Sequence, residues 1–261
     1  MKRKVLLFLT LWLAVLLTAC GNTNSAVGSD VSAGITGTGS QTKESEKPMK
    51  QNEKENARLL YMGQGSIRIT SPEGKVIYID PYVGDGYEPA ADLILITHGH
   101  SDHNNPEMIK NRNPDCKIIT WKEALKSGEH QTFDVGFIKV EATEAGYNRN
   151  HDVNSCVGYI LTLSDGVSVY ISGDTSTTKQ MSELSDRHID YAFFCCDGIY
   201  NMDIDEAAEC ARLVGAKHNI PYHVIAQSGR YFDRARAEKF AAPNRLIIDK
   251  NEEIELVKAG G

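Results

Sequence analysis

The chain has 261 residues, and its 28 Lys and Arg residues are outnumbered by 35 Asp and Glu residues, which gives a formal net charge of −7. Proteins that bind nucleic acids usually carry a basic face, because neutralising phosphates provides much of their affinity. The acidic balance therefore argues against nucleic acid as a partner. Six cysteines without regular spacing are poor support for a disulfide framework. We expect most of them to be small buried residues.

The first twenty residues have the composition of a targeting segment. "MKRK" is basic, and "VLLFLTLWLAVLL" is apolar but shorter than the ~20 residues of a comfortable membrane span. "LTAC", followed by Gly21, resembles the lipobox of bacterial lipoproteins, in which the cysteine is lipidated and becomes the mature N-terminus. We therefore expect residues 1–20 to be a signal peptide and Cys20 to anchor an extracytoplasmic protein to a bacterial membrane. A plain secretory signal and an N-terminal anchor helix are the alternatives.

Residues 21–56 are rich in Ser, Thr, Gly, Asn, Lys and Glu and contain almost no large apolar residue. Such a segment cannot bury enough surface to offset the entropy of ordering, so it is predicted to be a flexible tether. The remaining residues, 57–261, are enough for one domain with a sizeable core.

The first half of that domain contains strand signals and one helix signal. Residues 66–81, "SIRITSPEGKVIYIDP", predict a hairpin of two β-branched runs around a Pro-Glu-Gly turn. Residues 91–97, "ADLILIT", predict a buried strand. Asn105 and Pro106 then offer a cap and a first-turn proline for a helix over residues 106–112.

The second half alternates strands with a helix. Residues 136–143 predict a strand, and residues 156–174 predict a hairpin whose turn is Asp165-Gly166. Residues 219–226, "NIPYHVIA", predict a returning strand. Hairpins and single strands combined with helices indicate an α/β sandwich.

The helix signal of this half lies in "DIDEAAECARLVG", residues 203–215. Asp203 is the predicted N-cap, and Glu206, three residues later, is its predicted capping-box partner. Gly215 is the predicted stop.

The most informative stretch is "HGHSDH", which directly follows the predicted strand 91–97. Its histidines, His98, His100 and His103, cannot share one helical face at these spacings, so the stretch is predicted to be a loop at a strand end. Imidazole suits zinc and related metals, and Asp102 offers a harder ligand. Four such groups are too many for one catalytic metal that must keep an open position, which suggests two metals. A histidine-rich solvated turn is the alternative.

"HGHSDH" resembles the H-x-H-x-D-H signature of the metallo-β-lactamase-fold hydrolases. Further blocks extend the resemblance through the domain: "VIYIDP" with Asp80, "GYNRNHDVNSCVGYIL" with His151, "VYISGDT" with Asp174, and "IPYHV" with His223. The resemblance implies a four-layer αββα sandwich. Within the superfamily, "ISGDT" and "NMDIDEAAE…IPYH" are most similar to small stand-alone hydrolases related to the ascorbate-6-phosphate lactonases.

The resemblance also implies a ligand set for two divalent metal ions, with zinc expected and manganese or iron as alternatives. The first ion would be held by His98, His100 and His151. The second would be held by Asp102, His103 and His223, and Asp174 would bridge the two. Asp80 would support the metal loop from behind.

Two cations so placed lower the pKa of a shared water and make hydroxide available near neutral pH. We therefore expect a hydrolase that cleaves an ester, lactone, amide or phosphoester bond of a small molecule, with Asp102 as the catalytic residue that orients the hydroxide or takes its proton. The alternatives are a phosphodiesterase or nuclease, a β-lactamase, and a non-catalytic metal-binding or ligand-binding lipoprotein. Asp174 argues against a β-lactamase, because lactamases of the superfamily do not use a bridging aspartate in this block.

Some further residues are candidates for the substrate pocket. Asp197, Tyr200 and Asn201 follow "YAFFCC", where relatives often have a proline in place of cysteine. Tyr147 and Asn148 are further candidates, with loop packing as the alternative. Cys195 and Cys196 could form a redox pair, but a buried strand end explains them better.

Overall fold

Two six-stranded sheets contain most of the strands in the computed structural model, which describes residues 55–225 and 229–260. The first sheet has the strand order β14-β1-β2-β3-β4-β5, and the second has the order β13-β12-β11-β10-β9-β8. The strands are β1 Ala57–Gly63, β2 Ser66–Thr70, β3 Val76–Ile79, β4 Ala91–Leu95, β5 Arg112–Ile119, β6 Leu125–Lys126, β7 Glu129–His130, β8 Thr132–Asp134, β9 Ile138–Glu144, β10 Val157–Leu163, β11 Ser168–Ile171, β12 Tyr191–Cys195, β13 His218–Tyr222 and β14 Glu252–Leu256. The helices are α1 Trp121–Ala124, α2 Gln180–Glu183, α3 Ile204–Val214 and α4 Arg234–Ala237.

The two sheets pack face to face around a shared core. Leu59 and Leu93 of the first sheet belong to the same buried cluster as Tyr159 and Ile171 of the second. The Tyr159 hydroxyl also donates to the backbone carbonyl of Ile96, 3.0 Å away, and so joins β10 to the end of β4. A buried tyrosine needs such a partner for its hydroxyl. The contact fixes the second sheet against the segment that leads into the histidine loop.

Helices lie outside the sheets, which confirms the predicted α/β sandwich. Helix α3 buries its Ala207, Cys210, Ala211 and Val214 side chains and packs near β12 and α2. Among the described residues, α3 is the one α-helix longer than four residues. No helix in the described part of the chain is long and apolar enough to cross a membrane. The predicted signal peptide 1–20 and the predicted tether as far as residue 54 lie outside the described residues.

Both hairpins predicted from sequence are present. Strands β2 and β3 pair antiparallel, with Ile67 opposite Ile79, and Gly74 turns the chain with a φ of 77°. Strands β10 and β11 pair antiparallel, and the Gly166 amide donates to the Leu163 carbonyl in the turn. The returning strand is shorter than predicted, because β13 ends at Tyr222 and the next residue has a positive φ.

The predicted helix over residues 106–112 is wrong. The structure has a single 3-10 turn at Pro106–Met108, without a side-chain cap from Asn105, and β5 begins at Arg112. A residue that precedes a proline disfavours the helical conformation. Asn113, which precedes Pro114, is therefore unfavourable for continuing a helix. Pairing of β5 alongside β4 then prevails over the weak helix signal.

Helix α3 confirms two of its three predicted end signals. The Asp203 side chain accepts hydrogen bonds from the amides of Asp205 and Glu206, and Gly215 ends the helix with a φ of 66°. The capping-box role of Glu206 is wrong, because its carboxylate instead accepts from the amide and hydroxyl of Thr177, both 2.9 Å away. Glu206 thus ties α3 to the loop that follows β11.

The five cysteines among the described residues are mainly buried, as predicted. Cys156, Cys195, Cys196 and Cys210 are buried, Cys116 is half-buried, and all five carry free thiols. Burial raises the pKa of the Cys195 thiol well above its ordinary value. The structure thus supports the interpretation of Cys195 and Cys196 as packing residues at a strand end.

Candidate metal centre

The histidine loop begins directly after β4 and is fixed at its base by Asp80. The Asp80 carboxylate accepts from the Thr97 amide at 2.8 Å and from the Thr97 hydroxyl at 2.6 Å. The same carboxylate lies 2.8 Å from Nδ1 of His103. Farther along, the amides of His103 and Asn104 both donate to the His100 carbonyl, which closes a tight turn. The loop is therefore shaped mainly by contacts within the first sheet.

The second sheet supplies its candidate ligands from three separate loops. His151 lies before β10, Asp174 follows β11, and His223 follows β13. These strand ends lie on one edge of the second sheet, since β11, β12 and β13 are parallel and β10 is antiparallel to β11. An isolated bridge between His98 and Cys156 joins this edge to the histidine loop. Side chains distant in sequence therefore converge on that loop.

The structure brings all seven predicted metal ligands together. Their ligand atoms form three groups whose members lie within 4.8 Å of one another. The groups are His98, His100 and His151; Asp102, His103 and His223; and His98, His103 and Asp174. The first two are the two ligand triads implied by the resemblance, and the third places Asp174 beside a histidine from each triad.

Asp174 lies at the middle of the cluster. Its Oδ2 atom is 3.5 Å from Nε2 of His103, 3.4 Å from Nε2 of His151 and 3.6 Å from Nε2 of His223. The Nε2 atoms of His103 and His223 are themselves 3.3 Å apart. One carboxylate oxygen thus faces imidazole nitrogens from both halves of the domain.

The donor set fits divalent metal ions. His98, His103, His151, Asp174 and His223 are each at most 3% exposed. Nε2 of His98 and Oδ1 of Asp174 are buried without a hydrogen-bond partner. Buried polar atoms are rarely left unpaired, and imidazole nitrogens with carboxylate oxygens are the ligands that zinc takes in proteins. The unpaired atoms are therefore explained if the cluster holds metal.

The surroundings of Asp174 and His98 keep both side chains in the protonation states that bind metal. Burial and the neighbouring His103 ring lower the pKa of His98 to about 2, and burial also lowers the pKa of His151. Burial opposes ionisation of Asp174, but the surrounding imidazoles hold the pKa of its carboxyl well below the usual range. Asp174 is therefore a carboxylate, and His98 is neutral, at ordinary pH.

His103 differs from these neighbours. Burial alone would lower its pKa, but the carboxylates of Asp174 and Asp80 outweigh burial and raise the pKa to about 9. In the absence of metal, His103 therefore carries a proton near neutral pH. Metal binding would have to displace that proton, as is general for histidine ligands.

Most of the candidate ligands are oriented by a second contact. Oδ1 of Asn148 lies 3.1 Å from Nδ1 of His151 and also accepts from the His151 amide at 3.0 Å. Oδ2 of Asp197 lies 3.5 Å from Nδ1 of His223, a charge contact without a hydrogen bond. Hydrogen-bond partners such as Asn148 fix the ring orientation and the tautomer of metal-binding histidines. Asp80 gives the same support to His103, as the resemblance implied.

Gln64 is a site residue that the sequence reasoning missed. Its Nε2 donates to Oδ2 of Asp102 at 2.7 Å, and its backbone carbonyl accepts from the His223 amide at 3.0 Å. It therefore contacts candidate ligands from both halves of the domain. Gln64 lies in the turn between β1 and β2, and no local sequence pattern marks it.

A cavity of about 430 Å³ lies over the cluster. It is lined by His100, Asp102, Asn150, His151, Asp174, Tyr200 and His223. Of the predicted pocket residues, Tyr200 lines this cavity, whereas Tyr147 and Asn148 line an adjoining groove. Asp197 is fully buried beneath the Tyr200 loop, and neither it nor Asn201 is among the lining residues. Asn150, which also lines the cavity, was not predicted from the sequence.

A second cavity, of about 640 Å³, lies at the other end of the second sheet. Its lining includes Ser168, Asp190 and Lys217, which precede or begin β11, β12 and β13. It contains none of the candidate metal ligands. Although it is larger than the cavity over the cluster, we do not assign the reaction to it, because it lacks these ligands.

Residues 58–223 match the model of the Beta-lactamase superfamily domain. The chain belongs to the metallo-β-lactamase superfamily. It is 26% identical over 228 residues to a UPF0173 metal-dependent hydrolase of Thermococcus kodakarensis, covering 76% of this chain and 99% of the relative. It is 29% identical over 206 residues to another from Geobacillus thermodenitrificans, covering 67% and 91%.

Solved structures show the same fold. A Parabacteroides distasonis protein described as a metal-dependent hydrolase is similar at 31% identity and a TM-score of 0.58, over 72% of this chain and 90% of that one. A metallo hydrolase of Ignicoccus hospitalis has a TM-score of 0.62 at 19% identity, over 78% and 100%, which shows the fold alone. This superfamily member is accordingly a metal-dependent hydrolase, which confirms the predicted fold and enzyme class.

Proposed function

We propose that this superfamily member uses two divalent metal ions, zinc first among them, to hydrolyse an ester, lactone, amide or phosphoester bond in a small molecule. The observation that carries the proposal is the meeting of two complete ligand triads at one shared carboxylate, that of Asp174. A single-metal site needs only three protein ligands and an open position. Seven converging donors are more than such a site requires.

In this proposal, each triad holds one ion. His98, His100 and His151 hold the first, Asp102, His103 and His223 hold the second, and Asp174 contacts both. When bound, two such ions polarise the scissile group and acidify water at neutral pH.

The chain's own residues supply orientation and proton transfer. Asp102 lines the cavity and keeps one carboxylate oxygen fixed by the Gln64 amide, so it is the candidate to orient the attacking water or to accept its proton. Asp80 and Asn148 hold the rings of His103 and His151 in place. Deep burial of His98 and His103 excludes bulk water from the far side of the cluster.

The volume of the cavity favours a small-molecule substrate. A volume of about 430 Å³ is within the ~300–1,000 Å³ range of small-molecule sites. The acidic composition disfavours a nuclease, and Asp174 disfavours a β-lactamase. The similarity to ascorbate-6-phosphate lactonases suggests lactones as the first substrates to try.

Tethering outside the cytoplasmic membrane is a further part of the proposal, and it rests on the "LTAC" stretch that ends at Cys20. Lipid on that cysteine would place the hydrolase at the membrane surface, where it meets substrates from outside the cell. Cys20→Ser is expected to abolish labelling by a radioactive fatty acid. Unchanged labelling would remove the anchor from the proposal.

The catalytic proposal is tested with the purified protein in zinc-loaded, manganese-loaded and chelator-treated forms. Each form is assayed against lactones, carboxylic esters, amides, phosphodiesters and β-lactams. We expect turnover of one class that is lost with the chelator and restored by metal. Equal turnover with and without metal would contradict a metal-dependent mechanism, and turnover of β-lactams alone would contradict the ranking of substrates.

A further inference from the structure

Few residues other than the candidate ligands line the cavity over the ligand cluster. Five of its seven lining residues are candidate ligands, and the two others are Asn150 and Tyr200. Among the described residues, recognition of whatever lies beyond the scissile bond therefore falls on this pair. The pair is also connected, because Nδ2 of Asn150 donates to the Tyr200 carbonyl at 3.2 Å.

The Tyr200 loop is held in a defined position by a buried carboxylate. Oδ1 of Asp197 accepts from the amides of Ile199 and Tyr200, both at 2.7 Å, and Oδ2 accepts from the Asn201 side chain at 2.7 Å. Asp197 is 0% exposed, and such Asx-type bonds mimic a backbone turn. Gly198, with a φ of 68°, completes the turn. The backbone of Tyr200 is thus held at both its amide, by Asp197, and its carbonyl, by Asn150.

The Tyr200 side chain remains largely open to solvent. It is 54% exposed although it lines the cavity, so much of its ring surface is available to a ligand. Aromatic rings on a fixed backbone contribute large contact area at a small entropy cost.

Apart from the two proposed metal ions, the described residues that line the cavity offer a ligand no cationic group. Asp102 and Asp174 line it, and no Lys or Arg is among its described lining residues. Arg149 lines the adjoining groove instead. A phosphate group next to the scissile bond would find no cationic side chain in the lining, whereas an uncharged group would find the ring of Tyr200.

We infer that Tyr200 is a specificity-determining residue that packs against an uncharged apolar or aromatic group beside the scissile bond. The inference rests on the proposed function, because it assumes that the cleaved bond lies at the metal cluster. It narrows the substrates to esters, lactones and amides with a neutral alkyl or aryl group beside the scissile bond. Asn150 acts as the positioning residue that joins the Tyr200 loop to the loop carrying His151.

Binding of acid products tests the inference without relying on turnover. Isothermal titration calorimetry of the zinc-loaded protein would compare 4-phenylbutyrate with butyrate. We expect 4-phenylbutyrate to bind about 10-fold more tightly than butyrate, as for an aromatic contact with a partly desolvated ring.

Variants of the loop identify the ring responsible. Tyr200→Ala is expected to remove the preference for 4-phenylbutyrate, and Tyr200→Phe is expected to keep it. Ile199→Ala is the matched control, because Ile199 is 52% exposed in the same loop but does not line the cavity. Melting curves of the three variants check that each is folded.

Equal affinities for 4-phenylbutyrate and butyrate, or a preference that survives Tyr200→Ala, would overturn the inference. Hydrolysis of ethyl 4-phenylbutyrate and of ethyl butyrate is measured in parallel. If neither ester nor any other bond class is cleaved, the proposed function fails, and the binding data still decide the role of Tyr200.

Discussion

The two sheets of this hydrolase contribute to the candidate metal site in different ways. The first sheet supplies His98, His100, Asp102 and His103 from one short loop after β4, and Asp80 shapes that loop. The second sheet supplies three residues from three loops, and their convergence depends on the order of β10, β11 and β13. The half of the site from the first sheet therefore depends on contacts within one loop. The half from the second sheet depends on the order of its strands. The two halves meet at Asp174 and at Gln64.

Metal removal should have the largest effect, because the same ions would connect both halves. Chelation is expected to abolish hydrolysis and to lower the unfolding midpoint by about 10 °C, since metal at ~1,000 times its dissociation constant contributes ~4 kcal/mol. The measurements are initial rate and differential scanning calorimetry before and after chelation. Zinc should restore both values. An unchanged midpoint would indicate that the halves are held together without metal.

Loss of Asp174 should break the connection between the halves while leaving each triad intact. Asp174→Ala is expected to cut hydrolysis more than ~100-fold, beyond the usual effect of removing a residue that only orients a ligand. Asp174→Asn should be nearly as damaging, because a neutral amide links two cations poorly. Initial rates of the two variants on the best substrate provide the check. Near-normal turnover by Asp174→Ala would contradict the shared role of this carboxylate.

Supporting carboxylates offer a direct comparison of the two halves. Asp80→Asn replaces one carboxylate oxygen with an amide, which would favour the wrong tautomer of His103 and reduce activity ~10–100-fold. Asparagine also tolerates the positive φ of 44° at this position, so backbone strain does not confuse the result. Asp197→Asn should cost less, because Asp197 lies 3.5 Å from the His223 ring.

Metal affinity, measured by competition with a chelating dye, distinguishes these two variants further. Asp80→Asn should weaken one metal equivalent, and Asp197→Asn should weaken the same equivalent by a smaller factor. Equal losses would show that the two supports matter alike. A larger loss of metal affinity for Asp197→Asn would contradict the expectation that the support from Asp80, in the first sheet, matters more.

Some of this construction could be predicted from sequence, and the reason differs between the halves. The density of ligand-type residues in "HGHSDH" is visible without any partner, so the loop after β4 was identified from its own residues. His151, Asp174 and His223 are each a single residue in a long chain, and only the family resemblance singled them out. Gln64 was missed because its partner, Asp102, is 38 residues away and nothing local marks it.

The secondary structure was predictable where the signal was strictly local. The hairpin turns at Gly74 and Gly166 and the ends of α3 were predicted correctly, since each depends on one or two residues. The helix after Pro106 was wrong, because pairing with β4 is a long-range effect that periodicity does not report. Strands β1 and β14, which pair across almost the whole domain, were not predicted for the same reason.

Asp92 provides the smallest test, at the end of β4 remote from the metal loop. Its carboxylate accepts from the Val76 amide at 2.9 Å, from Lys75 at 3.0 Å and from Asn113 at 2.9 Å. Burial opposes its ionisation, but these bonds prevail and lower its pKa. Asp92→Asn is therefore expected to cost about 1–2 kcal/mol of unfolding free energy without changing the rate of hydrolysis.

The pH dependence of this contribution has a defined sign. Because the folded pKa of Asp92 is below the unfolded value of ~3.9, the stabilisation is present above pH ~4 and is lost as the pH falls through the folded value. Urea unfolding of both proteins at pH 7 and below pH 3 provides the measurement. The difference between them should shrink in acid. A difference that is constant with pH would assign the effect to packing rather than to charge.

The count of metal ions per chain tests the central claim most directly. Purified protein is incubated with excess zinc, desalted and measured by inductively coupled plasma mass spectrometry together with Asp174→Ala. The two triads predict two tightly bound zinc ions per chain in the natural protein and a fall toward one in Asp174→Ala. A single ion in the natural protein, or two equally tight ions in both proteins, would contradict a centre in which Asp174 joins the two halves.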